Sequence, residues 1–246
     1  MSEFVNHPLI KKDKIERREY QENIVASSLF KNTLVVIPTG LGKTYIGAVV
    51  IAHRIKKYGG KALLLAPTRP LVVQHANLLK ELLCVEGSVG TYTGTISPEK
   101  RSWEEQVIVA TPQVVENDIM QEKFDISDFS VLIFDEAHRA VGNYPYVTIA
   151  KKYMQKSKNP LILALTASPG SDIESIKEVC ENLFIENIEV KSEKSEDVKR
   201  YIQSSKIIWE KIDLPSWFHD IDLLLKNFIK RNLKVLKESG ILESYD

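Results

Sequence analysis

Cysteine is scarce. The 246 residues hold two, Cys84 and Cys180, far apart, with no C-x-x-C pair and no histidine beside them. That spacing excludes a disulfide scaffold and a thiolate metal centre, and predicts two free thiols in a reducing cytosol. Histidine is sparse as well: five scattered residues without ligand spacing, so no metal cluster is expected. Net charge is absent, with 33 Lys and Arg against 33 Asp and Glu. No chain-wide positive field therefore recommends a nucleic-acid partner, and any basic surface must be local. No apolar run reaches the roughly 18 residues of a membrane span. The first thirty residues include "KKDKIERREYQEN", too charged for a secretory leader. The expectation is a soluble protein of the cytoplasm with no membrane partner. Internal repeats and low-complexity linkers are missing too.

Apolar residues are plentiful, at 43%. The length permits one full domain with extra elements, or two small domains. Short apolar runs recur as buried strands: "TLVVI" (33–37), "ALLLA" (62–66), "VIVA" (107–110), "VLIF" (131–134) and "LILALT" (161–166). Helical spacing fills most gaps, over Tyr45 to Lys57, Pro70 to Leu83 and Pro112 to Met120. The first ends in Arg54, Lys56 and Lys57 before Gly59-Gly60, and the last begins with proline, as helix termini favour. Strands alternating with helices predict an α/β fold, a parallel sheet covered on both faces. From about residue 186, "ENIEVKSEKSEDVKRYIQSSK" is charged and serine-rich and reads as an exposed connection. "IIWEKIDL" (207–214) reads as one more strand, stopped by Pro215. Trp217 to Gly240 then forms an amphipathic helix with Ile221, Leu224, Leu225, Phe228 and Leu236 on one face. Little chain remains to cover that face, so the sequence looks like a piece of a longer protein. Lys226, Lys230, Lys234 and Lys237 form a basic stripe whose default reading is a solvated helix face.

Within "VVIPTGLGKTYIGAVV" a strand, a glycine turn and a helix start meet at Thr39, Gly40, Leu41, Gly42, Lys43 and Thr44. This is a Walker A arrangement: backbone N–H groups and the helix N-terminus face phosphates, Lys43 reaches the β- and γ-phosphates of ATP, and the Thr44 hydroxyl binds Mg²⁺. The usual first glycine is Ile37 here. "VLIFDEAHRA" puts Asp135 and Glu136 at the end of a buried strand, the edge where open α/β sheets bind ligands. Adjacent acids there are costly unless a cation meets them. Asp135 would hold Mg²⁺ together with Thr44, largely through water, and Glu136 would polarise the attacking water.

P-T-G-L-G-K-T, D-E-A-H and "TASPG" (166–170) together resemble superfamily 2 helicases, and "DEAHRAVGNYPY" with "LTASPGSDIESI" resembles the Hef and Fanconi anaemia M family of DNA helicases and translocases. The resemblance runs from about residue 15 to the end. It implies a RecA-like motor domain over 1–214 and, over 215–246, the start of a helical insert towards a second RecA-like domain missing from the chain. It implies ATP and Mg²⁺ as cofactors, and forked or branched DNA in replication-fork repair as the partner. In "RREYQ", Gln21 and Arg18 would read the adenine edge. Arg69, Thr93, Gly94 and Thr111 would contact the DNA backbone, although turn chemistry at strand ends serves each residue equally well. His138, Thr166 and Ser168 would couple nucleotide state to the DNA surface, with capping or packing an equal reading for His138. The alternative is a duplex-RNA-dependent ATPase of the RIG-I-like kind. No arginine-rich motif of a second motor domain is found, so this length of chain is expected to bind ATP weakly, hydrolyse it slowly and unwind nothing alone.

Overall fold

The computed structural model describes residues 3–168, 170, 173–201, 209, 210, 212, 213 and 215–240. In chain order the elements are α1 (Glu19–Ser28), β1 (Thr33–Val36), α2 (Lys43–Tyr58), β2 (Lys61–Leu65), α3 (Arg69–Leu82), β3 (Val89–Tyr92), β4 (Val107–Ala110), α4 (Pro112–Met120), β5 (Phe129–Asp135), α5 (Pro145–Lys156), β6 (Ile162–Thr166), α6 (Ile173–Asn182), β7 (Asn187–Val190), α7 (Glu196–Lys199) and α8 (Ser216–Glu238). Among the described residues, seven strands lie in one sheet, in the order β3-β4-β2-β5-β6-β1-β7. Every pairing in it is parallel. The apolar runs become strands because each can be buried on both faces. Alternate residues enter two separate cores. Val35, Leu64, Val109, Ile133 and Leu165 join the layer of α1, α2 and α3. Leu34, Leu63, Ile108, Phe134 and Ala164 join the layer of α4, α5 and α6.

Local chemistry sets the helix ends. Gly42 precedes α2 in a left-handed conformation (φ 79°), and Gly59 (φ 68°) ends it just after Lys56 and Lys57. Proline occupies the first turn of α3, α4 and α5, where its missing N–H has no partner to lose. The two cysteines are free thiols. No helix among the described residues is long and apolar enough to cross a membrane.

The segment after residue 186 departs from the expected exposed connection. It begins as β7, which pairs with β1, and continues into the short α7. An edge strand needs backbone partners on one side only, so it tolerates the charged, half-exposed pattern that disguised it. The strand expected over 207–214 lies largely outside the described residues, and its described members are in no regular element. By contact density the chain divides into Met1–Ile202 and Gln203–Asp246. The second unit contains α8, with Trp217, Leu224 and Phe228 exposed along it. Two of the stripe lysines pair within that helix, Lys226 with Asp222 at 2.7 Å and Lys234 with Glu238 at 3.8 Å.

Candidate functional site

Apart from Arg18 and Gln21, at the start of α1, the predicted site residues gather at the C-terminal ends of the strands. The loop after β1, the acids ending β5 and the Thr166 region ending β6 fall on three adjacent strands, β5-β6-β1. Arg69, Thr93 and Thr111 follow β2, β3 and β4, the adjacent strands of the other half of the sheet. One sheet edge thus carries two neighbouring clusters.

The loop from Ile37 to Gly42 reverses the chain between β1 and α2, with Gly40 (φ 83°) and Gly42 (φ 79°) in the left-handed region. A side chain at Gly42 would also collide with the Gln21 amide. Thr39 and Gly40 are exposed and Leu41 is buried. Lys43 folds back, its Nζ donating to the carbonyls of Ile37 at 3.0 Å and Pro38 at 3.4 Å. Burial lowers the Lys43 pKa, while Asp135 and Glu136 act in the opposite sense. A half-buried ammonium resting on neutral carbonyls is poised for an anion.

Asp135 is 4% exposed at the end of β5. Its Oδ2 is 2.8 Å from Nε2 of His75, and Nδ1 of the same ring is 3.1 Å from Thr44 Oγ1. The Walker A hydroxyl and the carboxylate of the acid pair are therefore joined through one imidazole. Hydroxyl and carboxylate oxygens are the donor set Mg²⁺ prefers, so these residues fit that ion. Tyr146 on α5 fixes the backbone here: its hydroxyl lies 2.7 Å from the Asp135 carbonyl and 3.2 Å from that of Leu65. Burial above all raises the Tyr146 pKa well beyond the ordinary tyrosine range.

Glu136 stands next in a left-handed conformation (φ 50°, ψ 49°), uncommon for a side-chain-bearing residue and concentrated at functional sites. Its Oε2 is 3.3 Å from His138 Nδ1. The same nitrogen is 3.1 Å from Thr166 Oγ1, which donates to the Ser168 carbonyl at 2.8 Å and accepts from the Ser168 N–H at 3.2 Å. The counts close if His138 carries its proton on Nδ1. Glu136, His138, Thr166 and Ser168 form one chain from the acid pair to the end of β6.

Gln21 is buried, and its amide donates to the Leu41 carbonyl at 3.2 Å and the Tyr20 hydroxyl at 3.1 Å, while Tyr20 donates to the same carbonyl at 2.8 Å. Both residues brace the glycine-rich loop from α1. Arg18 lies 3.4 Å from Glu16 and over the Tyr201 ring at 5.2 Å. Beside the loop, Phe4, Arg18, Gln21, Gly40, Gly42 and Tyr45 line a cleft of about 420 Å³, the size of a small-ligand site.

In the other cluster Arg69 is exposed on the first turn of α3, Gly94 is exposed, and Thr111 is the N-cap of α4. Thr93 is buried and shares a 2.9 Å hydrogen bond with Thr95. A buried ion pair holds this loop: Arg101 Nη1 reaches the two Asp118 oxygens at 2.8 and 2.9 Å, and Nη2 donates to the Ile96 carbonyl at 2.7 Å.

Sequence reasoning missed His75, Tyr146, Tyr20 and Phe4. Only His75 carried a usable signal. It shares the inward stripe of α3 with Val72, Ala76 and Leu79, so its burial was readable from helical spacing.

A family profile described as type III restriction enzyme, res subunit, matches residues 14–171. A protein of Methanocaldococcus jannaschii, provisionally named an ATP-dependent RNA helicase, is 47% identical over 245 residues, covering 98% of this chain and 31% of that protein. The ATP-dependent DNA helicase MPH1 of Vanderwaltozyma polyspora is 39% identical over 238 residues, covering 94% and 23%. The crystal structure of the Pyrococcus furiosus Hef helicase domain superposes with a TM-score of 0.78 at 48% identity, covering 96% of this chain and 51% of that one. The chain thus spans about a third or less of those curated relatives and about half of the solved domain.

Proposed function

Because this chain belongs to the superfamily 2 helicases, with the res-subunit, Hef and MPH1 proteins, we propose that it is the ATP-binding half of a DNA helicase or translocase. The whole protein would use ATP hydrolysis to remodel forked or branched DNA in replication-fork repair, in the archaeal cytosol at the nucleoid. Residues 1–214 make the first RecA-like domain, and 215–246 open a helical insert towards a second. The observation that carries the reading is the Thr44–His75–Asp135 chain, which closes the phosphate loop onto the acid pair.

In this reading the cleft at Arg18 and Gln21 takes the adenine. Lys43 leaves the Ile37 and Pro38 carbonyls for the β- and γ-phosphates, supported by backbone N–H groups at Gly40, Leu41 and Gly42 and by the first turn of α2. Thr39 borders the phosphates. Thr44 and Asp135 hold Mg²⁺, which supplies charge neutralisation at the transferring phosphoryl group. Glu136 orients and polarises the attacking water. His138, Thr166 and Ser168 relay the state of Glu136 to the end of β6. Arg69, Thr93, Gly94 and Thr111 hold DNA phosphates without reading sequence. Arginines that complete the charge stabilisation come from the second RecA-like domain, for which the relatives' greater length leaves room.

The 246-residue chain should bind a fluorescent ATP analogue with Mg²⁺, and Lys43→Ala should abolish that binding. The full-length protein should prefer forked DNA to duplex RNA in competition at about 0.1 M salt, because phosphate-dominated affinities compare only at fixed ionic strength. Unimpaired binding by Lys43→Ala would overturn the nucleotide site. A preference for duplex RNA would favour an RNA-dependent ATPase, in line with the name of the Methanocaldococcus relative.

A further inference from the structure

His75 belongs to neither nucleotide motif, yet it is the middle member of the chain that joins them. It sits on the second turn of α3, 7% exposed, on the stripe it shares with Val72, Ala76 and Leu79. An imidazole buried there is costly unless its nitrogens are paired. Both are, on opposite edges of the ring: Nδ1 with Thr44 Oγ1 and Nε2 with Asp135 Oδ2. A neutral ring with its proton on Nε2 satisfies both contacts. Nε2–H donates to the carboxylate, and the Thr44 hydroxyl donates its proton to Nδ1.

In that tautomer the ring orients the oxygen lone pairs of both partners. With its proton committed to Nδ1, the Thr44 hydroxyl keeps its lone pairs for a cation, and the acceptor makes that oxygen more basic. Asp135 keeps the lone pairs that Nε2–H does not use. The ring spans the gap between the two groups, contacting one at each edge. Partners of this type, which orient ligands without touching the metal, are typically worth 10–100-fold in metal affinity.

We infer that His75 is a positioning residue of the magnesium–nucleotide site, orienting the Thr44 hydroxyl and the Asp135 carboxylate as cation ligands while touching neither ion nor nucleotide. The inference rests on the reading above, that Thr44 and Asp135 serve one magnesium-bound triphosphate. It also gives α3 a place in that site. The helix that carries Arg69 at its first turn holds the cation ligands from its second.

The test is binding of a fluorescent, non-hydrolysable ATP analogue to the 246-residue chain, titrated with Mg²⁺ and repeated in EDTA. Gln can donate from Nε2 and accept at Oε1, so His75→Gln should stay close to wild type. In His75→Leu the Mg²⁺ needed for half-maximal binding should rise by about 10–100-fold, while affinity in EDTA falls far less. If His75→Leu does not fold, His75→Asn carries the test: it is polar but too short to bridge both partners, and the same rise is expected. A side chain that only fills space would lower affinity equally with and without Mg²⁺, and that result overturns the inference. So does wild-type Mg²⁺ dependence in His75→Leu or His75→Asn, or a His75→Gln as deficient as His75→Leu. A wild-type chain whose binding ignores Mg²⁺ overturns the parent reading as well, so the two failures are distinguishable.

Discussion

At the residue scale, Glu136 is the acid proposed to polarise the attacking water. It follows a carboxylate that His75 already engages, and its own side chain reaches the nitrogen of His138. Its left-handed backbone turns the chain out of β5 directly into a 3-10 turn at Ala137–Arg139. A general base contributes typically 10²–10⁴-fold. Glu136→Gln keeps the shape and the hydrogen-bonding reach but loses the basicity. In the full-length protein ATP binding should persist, while turnover falls by about 10²–10⁴-fold. A steady-state ATPase assay decides this, and intact turnover would remove Glu136 from the catalytic role.

At the scale of elements, the sheet was legible because a doubly covered parallel strand is a short unbroken apolar run. All five such runs in the sequence are strands, and α4 matches its expected span, Pro112–Met120. Two strands were not legible. β3, "VGTY", is four residues long with a glycine inside it, and β7 is an edge strand with a half-exposed pattern. Both motif segments stood out in the sequence because a glycine turn opening a helix and two adjacent acids ending a buried strand are an uncommon combination. His75 and Tyr146 could not be assigned a role, since a polar group on a buried helix face is explained only by what stands opposite it. Tyr146 illustrates the cost of such a group. It ties α5 to the end of β5, and its raised pKa means that the folded state holds the neutral hydroxyl. An unfolded tyrosine ionises near pH 10. The stabilisation is therefore complete below about pH 10 and is lost as pH climbs from there towards the folded value. Tyr146→Phe should cost about 1–3 kcal/mol at neutral pH, because carbonyls at Asp135 and Leu65 lose their donor. The variant should then lose stability less steeply above pH 10. Tyr153, a second buried tyrosine with a raised pKa, accounts for part of the slope that remains. Denaturation midpoints between pH 7 and 11 check this, and parallel curves for the two proteins would contradict it.

At the scale of the whole molecule, one sheet edge divides its labour. The β5-β6-β1 half presents the phosphate loop, the acid pair and the Glu136–His138–Thr166–Ser168 chain, and the β2-β4-β3 half presents Arg69, Gly94 and Thr111. α3 belongs to both, with Arg69 at one end and His75 bonded to Thr44 of the proposed nucleotide site. The central claim is that residues 40–44 and the acids at 135–136 converge on a single magnesium-bound triphosphate. A double-mutant cycle on Mg²⁺-dependent ATP affinity tests it most directly, using Thr44→Ala, Asp135→Asn and the two combined. Two ligands of one ion should be strongly coupled, so that the double variant loses little more than the worse single variant. Two losses that simply add would mean that the segments serve separate sites, and would contradict the account.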